Sequence, residues 1–146
     1  MKIDTTRFGT VQIEPDDLLK FPNGLLGLED CRQWVLLADA QNETLGWLQS
    51  ATRPEIALAV VSPRRFVPDY QVRVYRNELA PLDLNHMKDA QVLTIVAKNE
   101  RAITLNLKAP LVINLPKRLG RQVITNGDLP VQYELGSERY AYKKSA

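Results

Sequence analysis

Few side chains in this 146-residue chain could act as nucleophiles or general bases. The chain contains one cysteine, Cys31, and one histidine, His86, so a cysteine–histidine pair would have to be built from these two. Cys31 follows Glu29 and Asp30, whose negative charges disfavour the reactive thiolate. His86 lies in a segment typical of a loop, where a surface role is expected. These residues do not predict a nucleophilic site.

The acidic residues do not predict a metal site either. No arrangement of His, Cys, Asp and Glu has the spacing of zinc or calcium ligands. Asp16 and Asp17 are adjacent, so their carboxylates do not converge, and they fit the first turn of a short helix. The chain has no glycine-rich phosphate loop and no G-x-S-x-G elbow. We predict no catalytic residue, no metal and no cofactor; a hydrolase site assembled from distant residues stays open as an alternative.

Most of the chain consists of short strand-like runs separated by Gly, Pro, Asn or Asp. Eight runs have strand length: residues 34–38, 45–49, 56–61, 70–75, 92–97, 102–107, 111–115 and 121–125. Residues 92–107 are typical of a hairpin that turns at 98–101. Residues 14–20 and 77–90 favour short helical turns. We predict an all-β fold, a small antiparallel β-barrel-like domain with one or two short helical turns.

The size and composition indicate one domain, residues 1–146, whose polar tail at 136–146 is expected to fray. No apolar run approaches the length of a membrane span, and the first ten residues lack the apolar core of a signal peptide. A single cysteine suits a reducing compartment. We therefore expect a cytoplasmic protein that makes no contact with membranes.

Charge is distributed unevenly along the chain. The first 60 residues carry five basic and nine acidic side chains, whereas the remaining 86 carry fourteen basic and eight acidic ones. The basic half is compatible with an acidic partner or RNA, but an unevenly charged, solvated surface is the more ordinary interpretation. One alternative is therefore a small RNA-binding β-barrel that stacks bases on Phe66, Tyr70 and Tyr75. Aromatic residues make up only 7% of the chain, and no RNA-binding motif is present, which weakens this alternative.

Five segments occur in the order and approximate spacing of a known bacterial family. They are FPNGLLGLE (21–29), LQS (48–50), LAVVSPRRFVPDY (58–70), TLNLKAPLVIN (104–114) and GRQVI (120–124). On these motifs the chain resembles the flagellar assembly factor FliW family over about residues 1–125. One position departs from the pattern, because the first motif of the family usually reads G-F-E and this chain has Leu28 in place of the aromatic residue.

The resemblance implies a cytoplasmic regulator with two protein partners. One is CsrA, an RNA-binding repressor of flagellin translation, which members of the family antagonise from a site away from the RNA surface. The other is flagellin, bound while it awaits export. Flagellin that accumulates would occupy the regulator, free CsrA and so lower flagellin synthesis. We expect a monomer that does not bind nucleic acid directly.

The motifs also supply the predicted partner-binding residues, which are Gln49, Ser50, Pro63, Arg64, Phe66, Asp69, Tyr70, Asn106, Ala109 and Pro110. Each has a structural alternative: the glutamine and serine could cap a turn, and the proline-rich segments could fold onto the core. Trp34 and Trp47 lie in strand-like runs and are predicted to be core residues.

The run TLNLKAPLVINL, residues 104–115, contains core-type residues interrupted by polar ones and a proline. Pro110 cannot donate a ladder hydrogen bond, so we predict a strand end, a bulge or a sheet edge there. Asn106 and Asn114 are expected to bond backbone groups where the ladder is interrupted, unless Asn106, Ala109 and Pro110 contact a partner at an exposed edge.

Overall fold

The computed structural model describes residues 1–135, which contain eleven strands and one short α-helix. In chain order the strands are β1 (Lys2–Thr5), β2 (Gly9–Gln12), β3 (Leu18–Lys20), β4 (Gln33–Ala38), β5 (Leu45–Ser50), β6 (Ala57–Val61), β7 (Ala90–Lys98), β8 (Ile103–Leu105), β9 (Leu111–Asn114), β10 (Leu119–Gln122) and β11 (Tyr133–Leu135). Helix α1 is Arg76–Leu79, and 3-10 turns lie at Pro15–Asp17, Pro63–Arg65, Ala80–Leu82 and Met87–Asp89. The predicted all-β class is confirmed; the predicted fraying of 136–146 falls outside the described residues.

Seven strands close into a barrel. Strands β3 to β7 pair with one another in chain order, all antiparallel, and β7 also pairs with β9. Strand β10 joins β9 to β3, and its contact with β3, Leu119 beside Lys20, is parallel. The predicted antiparallel barrel is therefore confirmed, with one parallel seam. Strands β8 and β11 extend the sheet beside the last residues of β7.

The barrel interior is filled by apolar side chains from strands β3 to β7 and β9 and from the segment that follows β3. The fully buried ones include Leu19, Phe21, Trp34, Leu48, Val60, Leu111 and Ile113. Trp34 is a core residue, as predicted, and its indole N–H donates to the carbonyl of Cys31 at 2.9 Å. This bond satisfies the polar atom that burial of a tryptophan would otherwise leave unpaired.

A separate hairpin, β1–β2, covers one flank of the barrel. Its residues Ile3 and Ile13 bury themselves against Val35 of β4. The loop of the hairpin places the Arg7 guanidinium 4.1 Å from the ring centre of Trp47. Trp47 is only half-buried, contrary to its prediction as a core residue, because its indole N–H turns outward to Asp39 at 2.9 Å. That bond is the main reason that the pKa of Asp39 lies below its usual value.

The run at 104–115 forms two strand pieces along one edge of β7. The last pair of the β7–β8 ladder is Val96 with Leu105, and the β7–β9 ladder begins with Leu93 and Leu111. From the first pair to the second, the spacing is three residues on β7 (96 to 93) and six residues on the segment opposite (105 to 111). The residues between, 106–110, therefore leave the ladder and form a loop. Pro110 therefore marks an interruption of the ladder, as predicted.

Three strand predictions need correction. Residues 70–75 join no ladder and run as an extended segment into α1. Their predicted alternation is nevertheless present, because Val72 and Val74 are half-buried against the barrel while Arg73 and Tyr75 are exposed. The run at 102–107 pairs only over 103–105, and the run at 121–125 pairs over 119–122, two residues earlier. Apolar alternation fixes which side chains face the core but not which backbone acquires a partner.

No helix within residues 1–135 has the length and apolar character needed to cross a lipid bilayer.

Candidate functional site

The segment SPRRFVPDY forms a compact loop, here called the arginine loop (residues 62–70). The 3-10 turn at Pro63–Arg65 starts it, and the Val67 amide closes it with a 2.8 Å bond to the carbonyl of Pro63. The Arg64 side chain donates through Nε to the carbonyl of Tyr70 at 2.9 Å. Two prolines and these internal bonds hold the loop in one shape, so its exposed side chains are presented with little entropy left to lose.

Tyr70 connects the arginine loop to the second predicted segment, here called the proline loop (residues 106–110). Its side chain is 5% exposed, and its hydroxyl donates to the carbonyl of Leu107 at 2.7 Å. Burial raises the pKa of Tyr70 to about 12. Phe66 lies half-buried in the same apolar cluster with Leu105. The tertiary structure therefore brings two motifs separated by about 40 residues into contact.

The proline loop is stabilised by side-chain bonds to the backbone. Asn106 accepts a 3.0 Å bond from the amide of Ala109, so its amide group closes the loop as the structural alternative predicted. Lys108 donates through Nζ to the carbonyls of Thr125 at 2.8 Å and Gly127 at 2.6 Å. Ala109 and Pro110 are buried. The loop is thus held by a bond within it and by bonds from Lys108 to the segment at 125–127.

Gln49 and Ser50 lie at a different corner and are completely buried. The Gln49 amide donates to the carbonyl of Ser50 at 2.9 Å, and Ser50 Oγ accepts the amide of Arg53 at 3.0 Å. These bonds cap the turn between β5 and β6. Contact with a partner at these two positions stays a prediction.

The remaining predicted residues differ in exposure. Arg64 and Asp69 are exposed, Phe66 and Asn106 are half-buried, and Pro63 is buried. For the rival RNA-binding prediction, the position of Tyr70 is a correction: the ring is buried and its hydroxyl is bonded, so it offers no face on which a base can stack.

An open cleft of about 620 Å³ lies beside the arginine loop. Its walls include Pro63, Arg64, Tyr70, Arg73, Met87 and Val92. Met87 is 71% exposed at the rim. Sequence reasoning missed Met87 and Val92, because a methionine in a loop and a valine in a strand carry no signal until the fold places them beside the arginines.

Two further residues tie the motifs together and were also missed. Gln122 accepts a bond from the amide of Leu26 at 2.9 Å and donates to the carbonyl of Ala109 at 3.0 Å, which links three motifs. Gly120 packs directly against the ring of Phe21. The sequence feature that could have identified them is that both residues belong to the motif GRQVI. Leu26 itself is 60% exposed on the turn.

Candidate metal ligands and nucleophiles do not converge within residues 1–135. Among residues 1–135, no group of three or more His, Cys, Asp or Glu side chains converges in a way that could hold a metal ion. Cys31 is buried in the core and His86 is exposed in a loop, so the two do not form a pair. What the described residues form here is a pair of internally bonded loops, exposed arginines and a cleft.

We predict that Tyr70→Phe lowers stability and flattens its dependence on pH at high pH. The folded-state pKa of Tyr70 lies above the unfolded value of 10.0, so its contribution is complete below about pH 10 and disappears as the pH rises through about 12. Loss of the buried bond to Leu107 should cost about 1 kcal/mol at neutral pH. Urea unfolding of both proteins between pH 7 and 11.5 measures this, and parallel pH curves would contradict it.

The chain is similar to known proteins along most of its length. The model of the family described as FliW protein matches residues 2–135. The flagellar assembly factor FliW of Natranaerobius thermophilus is 35% identical over 127 residues, covering 85% of this chain and 84% of that protein. The flagellar assembly factor FliW of Bdellovibrio bacteriovorus is 39% identical over 126 residues, covering 85% and 72%.

A solved structure shares the fold. The crystal structure of the flagellar assembly factor FliW superposes with a TM-score of 0.86 at 31% identity. The match covers 95% of this chain and 99% of that one.

Proposed function

The chain belongs to the FliW family of flagellar assembly factors, and from this premise we propose that it antagonises the translational repressor CsrA by binding it directly. Binding away from the RNA surface of CsrA releases flagellin messenger RNA for translation. The protein works in the cytoplasm, as a monomer, and by binding rather than catalysis.

The second partner in the proposal is flagellin. Unexported flagellin occupies the protein and displaces CsrA, which then represses flagellin translation until export lowers the flagellin concentration. The observation that carries the proposal is family membership over nearly the whole described chain, supported by the binding surface of exposed and half-buried loop residues. Arg64, Phe66 and Asp69 belong to that surface, on a loop fixed by Tyr70. Pro63, Asn106, Ala109 and Pro110 belong to the two loops beside it, whereas Gln49 and Ser50 cap the β5–β6 turn at a different corner. Direct contact through these six residues is part of the same proposal.

The test is a titration of the purified protein with purified CsrA and, separately, with flagellin, followed by calorimetry. We expect saturable binding of each partner and release of a flagellin leader RNA from CsrA when the protein is added. If flagellin is then added in excess, CsrA should rebind the RNA. Absence of binding to both partners, with the protein folded, would refute the proposal. Tight binding of the RNA by the protein alone would instead support the RNA-binding alternative.

We predict that two substitutions, one in the arginine loop and one in the proline loop, affect different quantities: the first lowers affinity and the second lowers stability. Phe66→Ala removes a half-buried aromatic side chain of the arginine loop and should weaken binding of one partner by about 2 kcal/mol, the usual cost of truncating an interface aromatic. Asn106→Ala leaves the Ala109 amide without its acceptor and should lower stability by about 1–2 kcal/mol. Calorimetric affinity and thermal unfolding, both measured on each variant, separate the two roles. Unchanged affinity in the folded Phe66→Ala protein would place the interface elsewhere.

A further inference from the structure

Strand β7 has an unpaired edge where it passes the arginine loop. Strand β6 pairs with it only at Val60–Ile95 and Val61–Thr94, because β6 ends at Val61 and the chain turns away at Pro63. Within residues 1–135, no strand occupies the β6 side of β7 along residues 90–93.

The backbone groups of Val92 point toward that edge. The carbonyls of Asp89 and Ile95 accept bonds from Leu115 and Asn106, which lie on the β9 side of β7. Along a strand, successive residues direct their N–H and C=O groups to alternate edges. Thr94 pairs with Val61 of β6, and Val92 lies two residues earlier on the same strand. Val92 therefore also directs its N–H and C=O toward the β6 side, and it lines the cleft.

A second wall of the cleft is formed by Gln71, Val72 and Arg73, which belong to the extended segment 71–75. The carbonyl of Arg73 accepts the amide of Asn126 at 2.7 Å, whereas the amides of residues 71–75 donate no backbone hydrogen bond to another described residue. An extended backbone with free amides is a template for pairing with another chain. Both walls of the cleft thus present unused backbone donors or acceptors.

The cleft also carries uncompensated positive charge. Arg64 and Arg73 line it, and none of its lining residues is acidic. Arg64 bonds to the carbonyl of Tyr70 and Arg73 to the side-chain amide oxygen of Gln71 at 2.9 Å, so both guanidinium groups contact neutral acceptors. Neither forms an ion pair within the described chain. Met87 and Val92 add an apolar surface between the charges.

We propose that this cleft binds an extended, acidic segment of a protein partner by strand addition. The backbone of the segment pairs with the unused N–H and C=O groups that line the cleft. Its apolar side chains contact Met87 and Val92, and its carboxylates bind Arg64 and Arg73. The alternation of acidic and apolar side chains follows from the two-residue period of a strand, which turns successive side chains to opposite faces. The inference deepens the proposed function, since it states how a partner would be recognised at the arginine loop.

The experiment uses fluorescein-labelled heptapeptides whose residues alternate glutamate and valine. Fluorescence anisotropy should show saturable binding to the full-length protein that weakens as salt increases. A second peptide of the same sequence carries an N-methyl group on every backbone amide; it keeps the charges but has no N–H to donate to a ladder on either edge. We expect this peptide not to bind. Equal binding of the two peptides would overturn strand addition.

Charge reversal at one lining arginine locates the peptide. Arg73→Glu should weaken binding about tenfold, since it replaces one attraction with a repulsion, and its side chain bonds only to exposed Gln71. Arg65→Glu is the matched control, because Arg65 is exposed on the adjacent arginine loop but does not line the cleft, and the change in net charge is identical. Equal weakening by the two variants would reduce the effect to overall charge and overturn the location.

Amide hydrogen exchange completes the test. Peptide binding should slow exchange at Val92 or within residues 71–73, which line the cleft. Protection confined to another part of the chain would overturn the proposal, as would displacement of the peptide by oligouridylate at equal concentration, which would assign the cleft to phosphates. Binding of CsrA and flagellin is measured on the same preparations. If both bind while the peptide does not, the inference fails and the proposed function stands; if neither binds while the peptide does, the reverse holds.

Discussion

Gly120→Ala is expected to cost about 3 kcal/mol of unfolding free energy, the largest effect that we predict for a single added methyl group. A Cβ at Gly120 would lie 2.3 Å from Cζ and 2.5 Å from Cε1 of Phe21, far closer than carbon atoms can approach. Phe21 is fully buried in the barrel and cannot move aside without displacing its neighbours. Overpacking of this kind typically costs about 1–3 kcal/mol, and the immobile ring places Gly120→Ala at the upper end.

Thermal unfolding measures this, with a decrease in Tm of roughly 10 °C expected for a chain of this size. Gly127→Ala is the matched control, because a Cβ there has nothing within 4 Å and only the positive φ of 86° opposes it. We expect a cost of about 1 kcal/mol for the control. Phe21→Leu in the Gly120→Ala background should recover part of the loss, because the smaller side chain leaves room for the methyl group. A Gly120→Ala protein as stable as the wild type would show that β10 does not pack on Phe21.

Asn114→Ala is expected to cost about 2–3 kcal/mol, although the residue belongs to a segment rich in core-type side chains. Asn114 is 2% exposed, and its amide group donates to the carbonyl of Leu82 at 2.8 Å and to that of Asp83 at 3.3 Å. Alanine would leave the Leu82 carbonyl without its partner beside the barrel, and an unsatisfied buried acceptor costs about 1–3 kcal/mol. The vacated volume adds to this cost.

Urea unfolding of Asn114→Ala and of Leu115→Ala separates this bond from a general effect on the strand. Leu115 is the next residue, 39% exposed, so its truncation should change stability by less than about 1 kcal/mol. Asn114→Asp tests the donor specifically, because a carboxylate has the same size but cannot donate to the Leu82 carbonyl. We expect Asn114→Asp to be at least as unstable as Asn114→Ala at pH 7. Equal stability of Asn114→Asp and the wild type would assign the effect to shape alone.

The contacts of Gly120 and Asn114 explain why the motifs contain these residues. Asn114 holds the 3-10 turn at Ala80–Leu82 against β9, while Asn106 closes the proline loop. Asn106, Lys108 and Asn114 in TLNLKAPLVINL therefore each bond a backbone group that the barrel ladder leaves unpaired. Gly120 and Gln122 in GRQVI join that stretch to the turn at 21–29.

The amino-acid sequence by itself determined the all-β class, the hairpin of β7 and β8, the short helical turns, the break at Pro110 and the family. These features follow from side-chain period, turn composition and the missing amide of proline, which act over a few neighbouring residues. Only the tertiary structure decided that β10 closes the barrel beside β3, that Tyr70 joins the arginine loop to the proline loop, and that residues 71–75 have no strand partner. Those outcomes depend on which distant backbone lies alongside each segment. The local sequence determines only which side chains face the core, so it does not predict the neighbouring strand.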